Sequence, residues 1–248
     1  MEEKEMNGLV KSVQENVVFF LEFAGIVVLM TAIAYVAEKY IRKKEGVTER
    51  ILTTGKITII GMFSAIAAIL HMLDFPVPFA PFFYKLDFSE LPALIAAFAF
   101  GPVAGVMIEF CKILIKLLFK NTSTAFVGDM ANFVIGCSFL VPASVTYLFR
   151  KSKKTAVIGC VIGTLCMTVF GSAFNAVYLI PAFSKLYGMP LEEIIGIGTK
   201  INPAINNTTT LVMYAVAPLN LLKGSVVSLV TMLVYKKLSP VLKKTNRI

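Results

Sequence analysis

Long apolar runs constrain this chain more than any other feature of its sequence. Seven mostly apolar stretches alternate with short polar connections, and most approach the length that a helix needs to cross a bilayer. The chain is 57% hydrophobic and 16% charged, whereas about a quarter of the residues in soluble domains are charged. Because the runs are continuously apolar, they predict helices and not the alternating strands of a barrel. We therefore expect an all-α integral membrane protein.

Seven membrane spans are predicted in chain order. They are Val17–Ala37, Ile57–Leu73, Phe88–Phe100, Val103–Phe119, Ala125–Phe149, Ala156–Phe183 and Thr208–Tyr235. The third and fourth are short for a hydrocarbon layer about 30 Å thick, and the Gly101-Pro102 pair predicts a tight turn between them.

Positive charge lies mainly in three connections. They contain Lys39, Arg42, Lys43, Lys44, Arg50 and Lys56 after the first span, Arg150, Lys151, Lys153 and Lys154 after the fifth, and Lys236, Lys237, Lys243, Lys244 and Arg247 at the carboxyl end. Seven crossings put all three on one side, which the positive-inside tendency makes cytoplasmic. The amino terminus is then expected outside. The formal net charge of +9 follows this pattern and does not indicate nucleic-acid binding.

A cleaved signal peptide is the alternative interpretation of the first span. The chain has an acidic start with Glu2, Glu3 and Glu5, and a basic run follows the span directly. Both features argue against cleavage. We interpret the span as an additional, uncleaved helix.

Two connections on the outer side are candidate covers for a binding pocket. The segment Asp74–Asp87 contains three prolines and four phenylalanines, so it cannot form a regular helix, and its side chains favour folding back over the bundle. The segment Ser184–Asn207 is a candidate second cover. Lids of this kind belong over ligand pockets, and the alternative is a plain interfacial loop.

Polar side chains within the spans mark candidate binding residues, because an unpaired polar group in hydrocarbon costs several kcal/mol. Asn220 and Lys223 are three residues apart on the last span and share a helix face. No acidic residue on that span answers Lys223, so we expect a bound polar ligand to do so.

Two other helix faces are candidates for the same pocket. Asn175 and Tyr178 form one, and Asp129, Asn132 and Gly136 form another. The alternative is that such asparagines bond neighbouring helices. For Glu109 and Lys112 we favour an internal ion pair, and Lys116 is expected to snorkel outward. The single histidine, His71, is interpreted as an interfacial residue near Asp74.

Small residues on the second span predict close approach by another helix. Gly61 and Ala65 are four apart, and Ser64 and Ala68 form a parallel pair. The partner lies either within the chain or on another protein. The four cysteines lie inside apolar spans without metal-ligand spacing, so we expect packing roles and no metal site.

Several motifs are missing from the sequence. It contains no GxxxxGK[ST] phosphate loop, no HExxH and no GxSxG. It also shows no inverted repeat of the kind that many secondary transporters carry. The chain is therefore expected to bind a solute without an ATPase motor or a catalytic site of its own.

Three stretches carry a resemblance to a known family. They are FPVPFAPFFYKLDFSELPALIAAFAFGPVAGVMIE, DMANFVIGCSFLVPASVTY and YAVAPLNLLKGSVVSLVTMLVYKKLSPVL. They closely resemble riboflavin-specific substrate-binding (S) subunits of energy-coupling factor (ECF) transporters. The resemblance covers roughly residues 56–242.

The resemblance implies a fold, a ligand and partners. It implies a six-helix bundle in residues 51–248, and residues 1–50 then supply one extra N-terminal transmembrane helix and a basic cytoplasmic linker. It implies a multi-pass protein of the bacterial cell membrane that captures riboflavin or a related flavin. Riboflavin is then a transported ligand and not a cofactor. A coupling membrane subunit and two cytoplasmic ATPases supply the energy, which accounts for the missing phosphate loop.

The resemblance also assigns roles to particular residues. Asn220 and Lys223 match the family's NLLKG motif and Asn175 a ligand-facing asparagine, while Asp129 and Asn132 fall in the ANF region. Phe75, Phe79 and Phe83 lie in the loop that covers the vitamin. Gly61 and Ala65 stand where the family carries the AxxxA motif that docks on the coupling subunit, with Gly replacing the first Ala.

Two departures from the family pattern bear on these roles. The first span has no counterpart, which leaves open whether it shields or obstructs the docking face. Ile113 follows Lys112 where we expect Asn in the family, which weakens any transfer of a role to Lys112.

Three alternatives remain at this stage. One is an S subunit for another vitamin or a phosphorylated flavin, with Lys85, Lys120 and Lys200 as extra cations. Another is a stand-alone secondary transporter. The third is a membrane enzyme using Asp129, Glu109 or His71 as acid or base.

Overall fold

The computed structural model describes residues 17–48, 50–120, 122, 124 and 126–245. Its helices are α1 (Val17–Lys44), α2 (Thr54–Met72), α3 (Glu90–Phe100), α4 (Pro102–Phe119), α5 (Val127–Phe149), α6 (Lys153–Phe174), α7 (Ile180–Tyr187), α8 (Leu191–Ile201), α9 (Thr208–Leu211) and α10 (Ala217–Thr245). The two strands are β1 (Phe75–Pro76) and β2 (Lys85–Leu86). The acidic residues before Val17, the predicted span start at Ala125, and Arg247 lie outside the described residues.

The helices form a multi-pass membrane bundle. Within the described residues, five helical stretches are long and apolar enough to cross a membrane, namely Val17–Lys44, Thr54–Met72, Val127–Phe149, Lys153–Tyr187 and Thr208–Leu238. The short pair α3 and α4 completes the bundle, and the turn at Gly101 has the positive φ of 108° that only glycine adopts readily. The prediction of an all-α membrane protein is confirmed.

Two long helices each contain a widened, π-helical turn. The turn Asn175–Leu179 joins α6 to α7, and the turn Val212–Val216 joins α9 to α10. A proline, Pro181 or Pro218, stands two positions after the end of each turn and lacks the N–H that a regular α-helical ladder would use. Single π-turns of this kind occur often at functional sites.

Glycines allow α5 and α6 to approach closely. A Cβ on Gly159 would lie 2.5 Å from the Ala143 carbonyl oxygen, and one on Gly163 would lie 2.5 Å from that of Phe139. Such contacts between small residues replace the hydrophobic driving force that helices lack in lipid. All four cysteines are free, and Cys137 and Cys160 are buried in the core, as expected for packing residues.

The additional helix α1 packs against α4 and α5. Phe23 meets Phe133 edge to face with ring centroids 5.8 Å apart. At the other end of the helix, the buried Glu38 accepts a hydrogen bond from the Val103 backbone N–H at 3.2 Å. The outward face of α2 stays uncovered, since a Cβ on Gly61 would meet nothing within 4 Å.

The segment between α2 and α3 forms a hairpin that lies over one end of the bundle, which we call the hairpin end. Strands β1 and β2 pair antiparallel, with Phe75 opposite Leu86. Between and beside them, Val77, Ala80 and Tyr84 are buried in a second apolar cluster with residues of α7, α8 and α10. The prediction that this segment folds back over the helices is confirmed. Ile194 of α8 is buried in the same cluster, so α8 packs beside the hairpin.

Candidate functional site

Asp87 is the centre of a buried polar cluster beneath the hairpin. Its Oδ2 accepts hydrogen bonds from the Lys223 ammonium at 2.9 Å and the Asn132 amide at 3.2 Å. Its Oδ1 accepts bonds from the Ser89 backbone N–H and hydroxyl. His71 Nδ1 lies 3.6 Å from Oδ2. One carboxylate therefore joins the hairpin to α2, α5 and α10.

Two carboxylates and a second lysine extend this cluster into the bundle. Glu90, at the first turn of α3, lies 2.7 Å from Lys223 Nζ and 3.6 Å from Lys112 Nζ. Lys112 also contacts Glu109 at 2.6 Å and donates to Ser89 Oγ at 2.7 Å. All three side chains are almost fully buried. Because an isolated charge would be very costly here, these groups stabilise one another.

The electrostatics of the hairpin follow from these contacts. Burial alone would raise the pKa of Asp87, but the Lys223 ammonium and His71 hold that pKa well below its ordinary value of 3.8. Asp87 is therefore ionised at neutral pH. Burial raises the pKa of Tyr84 well above its ordinary value, so its hydroxyl remains a hydrogen-bond donor.

These contacts correct two expectations. Lys223 does not depend on a ligand for a partner, because Asp87 and Glu90 reach it from outside its own helix. The interpretation of His71 as an interfacial residue stays a prediction, and the structure adds Asp87 as its neighbour. Lys116 does not snorkel outward, because Asp129 across the helix interface pairs with it at 2.6 Å. The predicted internal pair of Glu109 with Lys112 is confirmed.

Asn220 and Asn175 both lie close to Gly171. The Asn220 amide nitrogen would lie 2.5 Å from a Cβ at Gly171, and Asn175 Nδ2 donates to the Gly171 carbonyl at 2.8 Å. Asn220 Nδ2 is buried without a hydrogen-bond partner among the described residues. A buried orphan donor is costly unless something else accepts its bond. Asn220 is therefore available to a ligand.

Asn175 and Tyr178 have different neighbours. Asn175 Oδ1 accepts a hydrogen bond from the Tyr84 hydroxyl of the hairpin at 2.9 Å, while the Tyr178 hydroxyl donates to Glu22 of α1. Both residues lie in the π-helical turn, where residues three apart share a face less well than in an α-helix. The structure thus brings Asn175, but not the Tyr178 hydroxyl, into contact with the hairpin.

The three candidate phenylalanines line the hairpin differently. Phe83 packs between Tyr84 and Phe183, with ring centroids 4.7 Å and 5.6 Å away. Phe75 lies 6.0 Å from Phe88 and is 44% exposed, and Phe79 is half-buried against the apolar cluster. The hairpin therefore offers aromatic surface next to the polar cluster.

The four small residues of α2 divide between two faces. Gly61 and Ala65 are exposed on the uncovered side of the helix. Ser64 and Ala68 are buried at 1% and 0% exposure. Because they pack inside the bundle, Ser64 and Ala68 are unavailable to an external partner, which corrects their assignment to a docking surface.

Sequence reasoning missed Asp87, Glu90 and Tyr84 as parts of the site. A usable signal was present, because LDFSE places two acidic residues at the start of an apolar run while Lys223 stands alone on its own span. An isolated charge is costly in the membrane. A buried lysine with no acidic residue on its own span is therefore expected to pair with an acidic residue on another.

The arrangement suits a flat ligand with a hydrogen-bonding edge. Asn220 supplies an unused donor, and Asn132 Oδ1 and Glu90 Oε2 are buried acceptors without a hydrogen-bond partner among the described residues. Aromatic and aliphatic side chains of the hairpin and α7 form the apolar cluster at the hairpin end of the bundle. Apolar walls with a few convergent polar groups are the usual composition of a small-molecule site.

Comparisons with known proteins bear on the identity of the chain. Residues 55–235 match the family model described as "ECF transporter, substrate-specific component". The chain belongs to this family. That membership makes it a transport protein and not an enzyme, and its apolar helices make it a multi-pass membrane protein.

Two curated relatives and one solved structure are similar to it. The riboflavin transporter RibU of Staphylococcus aureus (strain TCH60) is 37% identical over 76% of this chain and 93% of the relative. The riboflavin transporter FmnP of Bacillus subtilis (strain 168) is 32% identical over 75% and 92%. A structure of the S component of a bacterial ECF transporter is 34% identical, with a TM-score of 0.60 over 76% of this chain and 97% of that one.

Proposed function

We propose that this chain captures riboflavin as the substrate-binding subunit of an ECF importer. The observation that carries the proposal is the polar cluster under an aromatic hairpin, in a fold whose relatives are riboflavin transporters. Riboflavin has a flat apolar ring system with a hydrogen-bonding edge and a polyhydroxyl tail. It needs apolar walls and a few polar contacts, and this end of the bundle offers both.

The residues take distinct parts in this proposal. Asn220 donates to the carbonyl edge of the flavin, and Lys223, held between Asp87 and Glu90, supplies positive charge beside it. Asn132, Asn175 and Asp129 complete the polar lining. The hairpin residues Phe75, Phe79 and Phe83, with the ring of Tyr178, supply apolar surface at its margin.

The orientation, the domains and the partners are part of the same proposal. The hairpin end faces outside with the amino terminus, and the basic connections and the carboxyl terminus face the cytoplasm. Residues 1–50 add one transmembrane helix and its linker to a substrate-binding domain of residues 51–248. Gly61 and Ala65 dock on a coupling membrane subunit, which two cytoplasmic ATPases drive. Release inside follows reorientation of the bundle.

Purification and titration test the flavin assignment. The chain purified in detergent is expected to carry a yellow chromophore that mass spectrometry identifies as riboflavin. Lys223→Ala is expected to weaken riboflavin binding by more than about 1.5 kcal/mol in a flavin-fluorescence titration, because a hydrogen bond to a charged group is lost.

Lys236→Ala is the matched control for this titration, since Lys236 is an exposed lysine on the same helix. The control is expected to bind like wild type. Equal affinity of Lys223→Ala and the control would remove Lys223 from the site. Tighter binding of a phosphorylated flavin than of riboflavin would change the assigned substrate.

A further inference from the structure

A cavity of about 590 Å³ lies at the end of α1, against the connection to α2. The cations that line it come both from α1 and from the connection to α2. One aromatic ring is also part of the lining. The lining includes Tyr35, Lys39, Arg42, Lys43 and Arg50, and all of its residues lie between positions 35 and 51. All of them precede residue 55, where the match to the ECF family begins. The cavity therefore belongs to the segment that this chain adds to the shared fold.

The charge in this cavity is strongly positive. Two acidic residues near this end of α1, Glu38 and Glu45, have other partners. Glu38 is buried against Arg42 and the α4 backbone, and Glu45 lies 3.6 Å from Lys151. Lys43 and Arg50 are exposed and have no acidic partner within the described part of the chain. The lining thus holds cations that call for an anionic ligand.

The position of the cavity indicates where that ligand comes from. Towards the middle of α1, Val28, Leu29 and Val36 are 69%, 55% and 64% exposed, as expected of side chains that face lipid. The exposed Tyr35 and Tyr40 mark the boundary between the hydrocarbon and the headgroups, because tyrosine rings are enriched at that depth. Lys39 Nζ lies 5.6 Å above the Tyr35 ring. The cavity therefore opens where acyl chains meet phosphate groups.

We propose that this cavity binds the phosphate-bearing headgroup of an anionic phospholipid. Lys43 and Arg50 contact the phosphate, the guanidinium by its planar fork, and Lys39 closes one side. The acyl chains run along the exposed apolar face of α1. Basic pockets beside transmembrane helices bind anionic headgroups by this combination of charge and shape. Such a lipid would fix the connection between α1 and α2 at the membrane surface.

Native mass spectrometry of the full chain tests the proposal. The protein is released from nanodiscs that contain equal amounts of phosphatidylglycerol and phosphatidylcholine, and retained lipid is counted. Wild type is expected to retain phosphatidylglycerol selectively. The double variant Lys43→Gln/Arg50→Gln is expected to lose that retention by about fivefold for each cation removed.

The control variant is Lys154→Gln/Lys237→Gln, which removes two exposed cations from other basic connections. It is expected to retain phosphatidylglycerol like wild type. An equal loss in both variants would overturn the proposal by showing a general surface charge effect. Wild-type retention by the Lys43→Gln/Arg50→Gln variant, or equal retention of the two lipids by wild type, would overturn it by showing that these cations select no anionic headgroup.

Competition with inorganic phosphate distinguishes a phospholipid headgroup from a soluble phosphate compound as the bound anion. Millimolar phosphate is expected to leave phosphatidylglycerol retention unchanged, because it has no acyl chains to follow α1. Full displacement at that concentration would reassign the cavity to a soluble phosphate compound. Melting temperature and riboflavin titration of both variants are expected to match wild type, so a lost lipid is distinguished from a misfolded chain.

Discussion

Asp87 shows how one residue can hold the hairpin and the proposed binding site together. It lies at the end of the hairpin, and its carboxylate contacts groups from α2, α5 and α10. Lys223 is held by Asp87 and also by Glu90. A ligand that contacts Lys223 therefore acts on a lysine whose position is already fixed, which lowers the entropy lost on binding.

Replacing Asp87 tests the weight of this contact. Asp87→Asn keeps the side-chain shape but leaves the buried Lys223 with Glu90 alone, and we expect a loss of about 3 kcal/mol in unfolding free energy. Asp74→Asn is the matched control, because Asp74 pairs with Lys85 at 3.0 Å with both side chains partly exposed. Its loss is expected to be about 0–1 kcal/mol. Unfolding in detergent measures both, and equal losses would contradict a special role for Asp87.

The low pKa of Asp87 predicts a pH dependence. A carboxyl whose folded pKa lies below its unfolded value stabilises the fold above the unfolded pKa and loses that contribution as pH falls through the folded pKa. The difference in melting temperature between wild type and Asp87→Asn is therefore expected to stay constant from about pH 5 to 8 and to shrink only below about pH 4. A difference that changes between pH 6 and 8 would assign the titration to another group.

At the scale of elements, the turn between α3 and α4 depends on α1. A Cβ on Gly101 would lie 2.4 Å from Glu38 Oε2, and the same carboxylate accepts the Val103 N–H at the start of α4. An acidic group at a helix N-terminus is stabilised by the exposed N–H groups and the helix dipole. A residue of the additional helix thus supplies a cap that the turn itself lacks.

Gly101→Ala tests this arrangement. It introduces both a strained backbone at φ 108° and a clash with Glu38, so we expect a loss of about 1–3 kcal/mol or more. Gly46→Ala is the control, because Gly46 has φ 69° but open space around it. Adding Glu38→Ala to Gly101→Ala is expected to relieve the clash and leave the backbone strain. A double variant no more stable than the sum of the single changes would show that the clash is absent.

At the scale of the whole molecule, the additional helix and the proposed docking face lie on different sides. Helix α1 packs on α4 and α5, and Gly61 on the outward face of α2 has open space beside it. The structure therefore answers the question of obstruction that the extra span raised: α1 leaves that face of α2 uncovered.

Gly61→Leu tests whether this face docks on a partner. The larger side chain is expected to block close helix approach, and so to reduce riboflavin uptake in cells at least tenfold, an effect of about 1.4 kcal/mol. Riboflavin affinity of the purified chain is expected to stay unchanged. Met62→Leu is the control, since Met62 is already a large exposed side chain on the same helix. Normal uptake by Gly61→Leu would move the docking surface elsewhere.

The sequence by itself determined the class of fold and most of its elements. Continuous apolar runs leave a chain few options in a bilayer, because every backbone group must find a partner within its own helix. The spans from Val17 to Tyr235, the tight turn at Gly101-Pro102 and the folded-back hairpin all follow from local composition. Motifs such as NLLKG also indicated the family, because they place unusual residues at a fixed spacing along one helix.

The tertiary structure alone decided which polar groups meet. Lys223 and Asp87 are 136 positions apart, and local periodicity carries no information about contacts over that separation. The π-helical turn that separates Asn175 from Tyr178 depends on the packing around it, and so does the burial of Ser64 and Ala68 beside the exposed Gly61. Spacing along a helix places residues on a face, but only the packing of several helices shows what that face contacts.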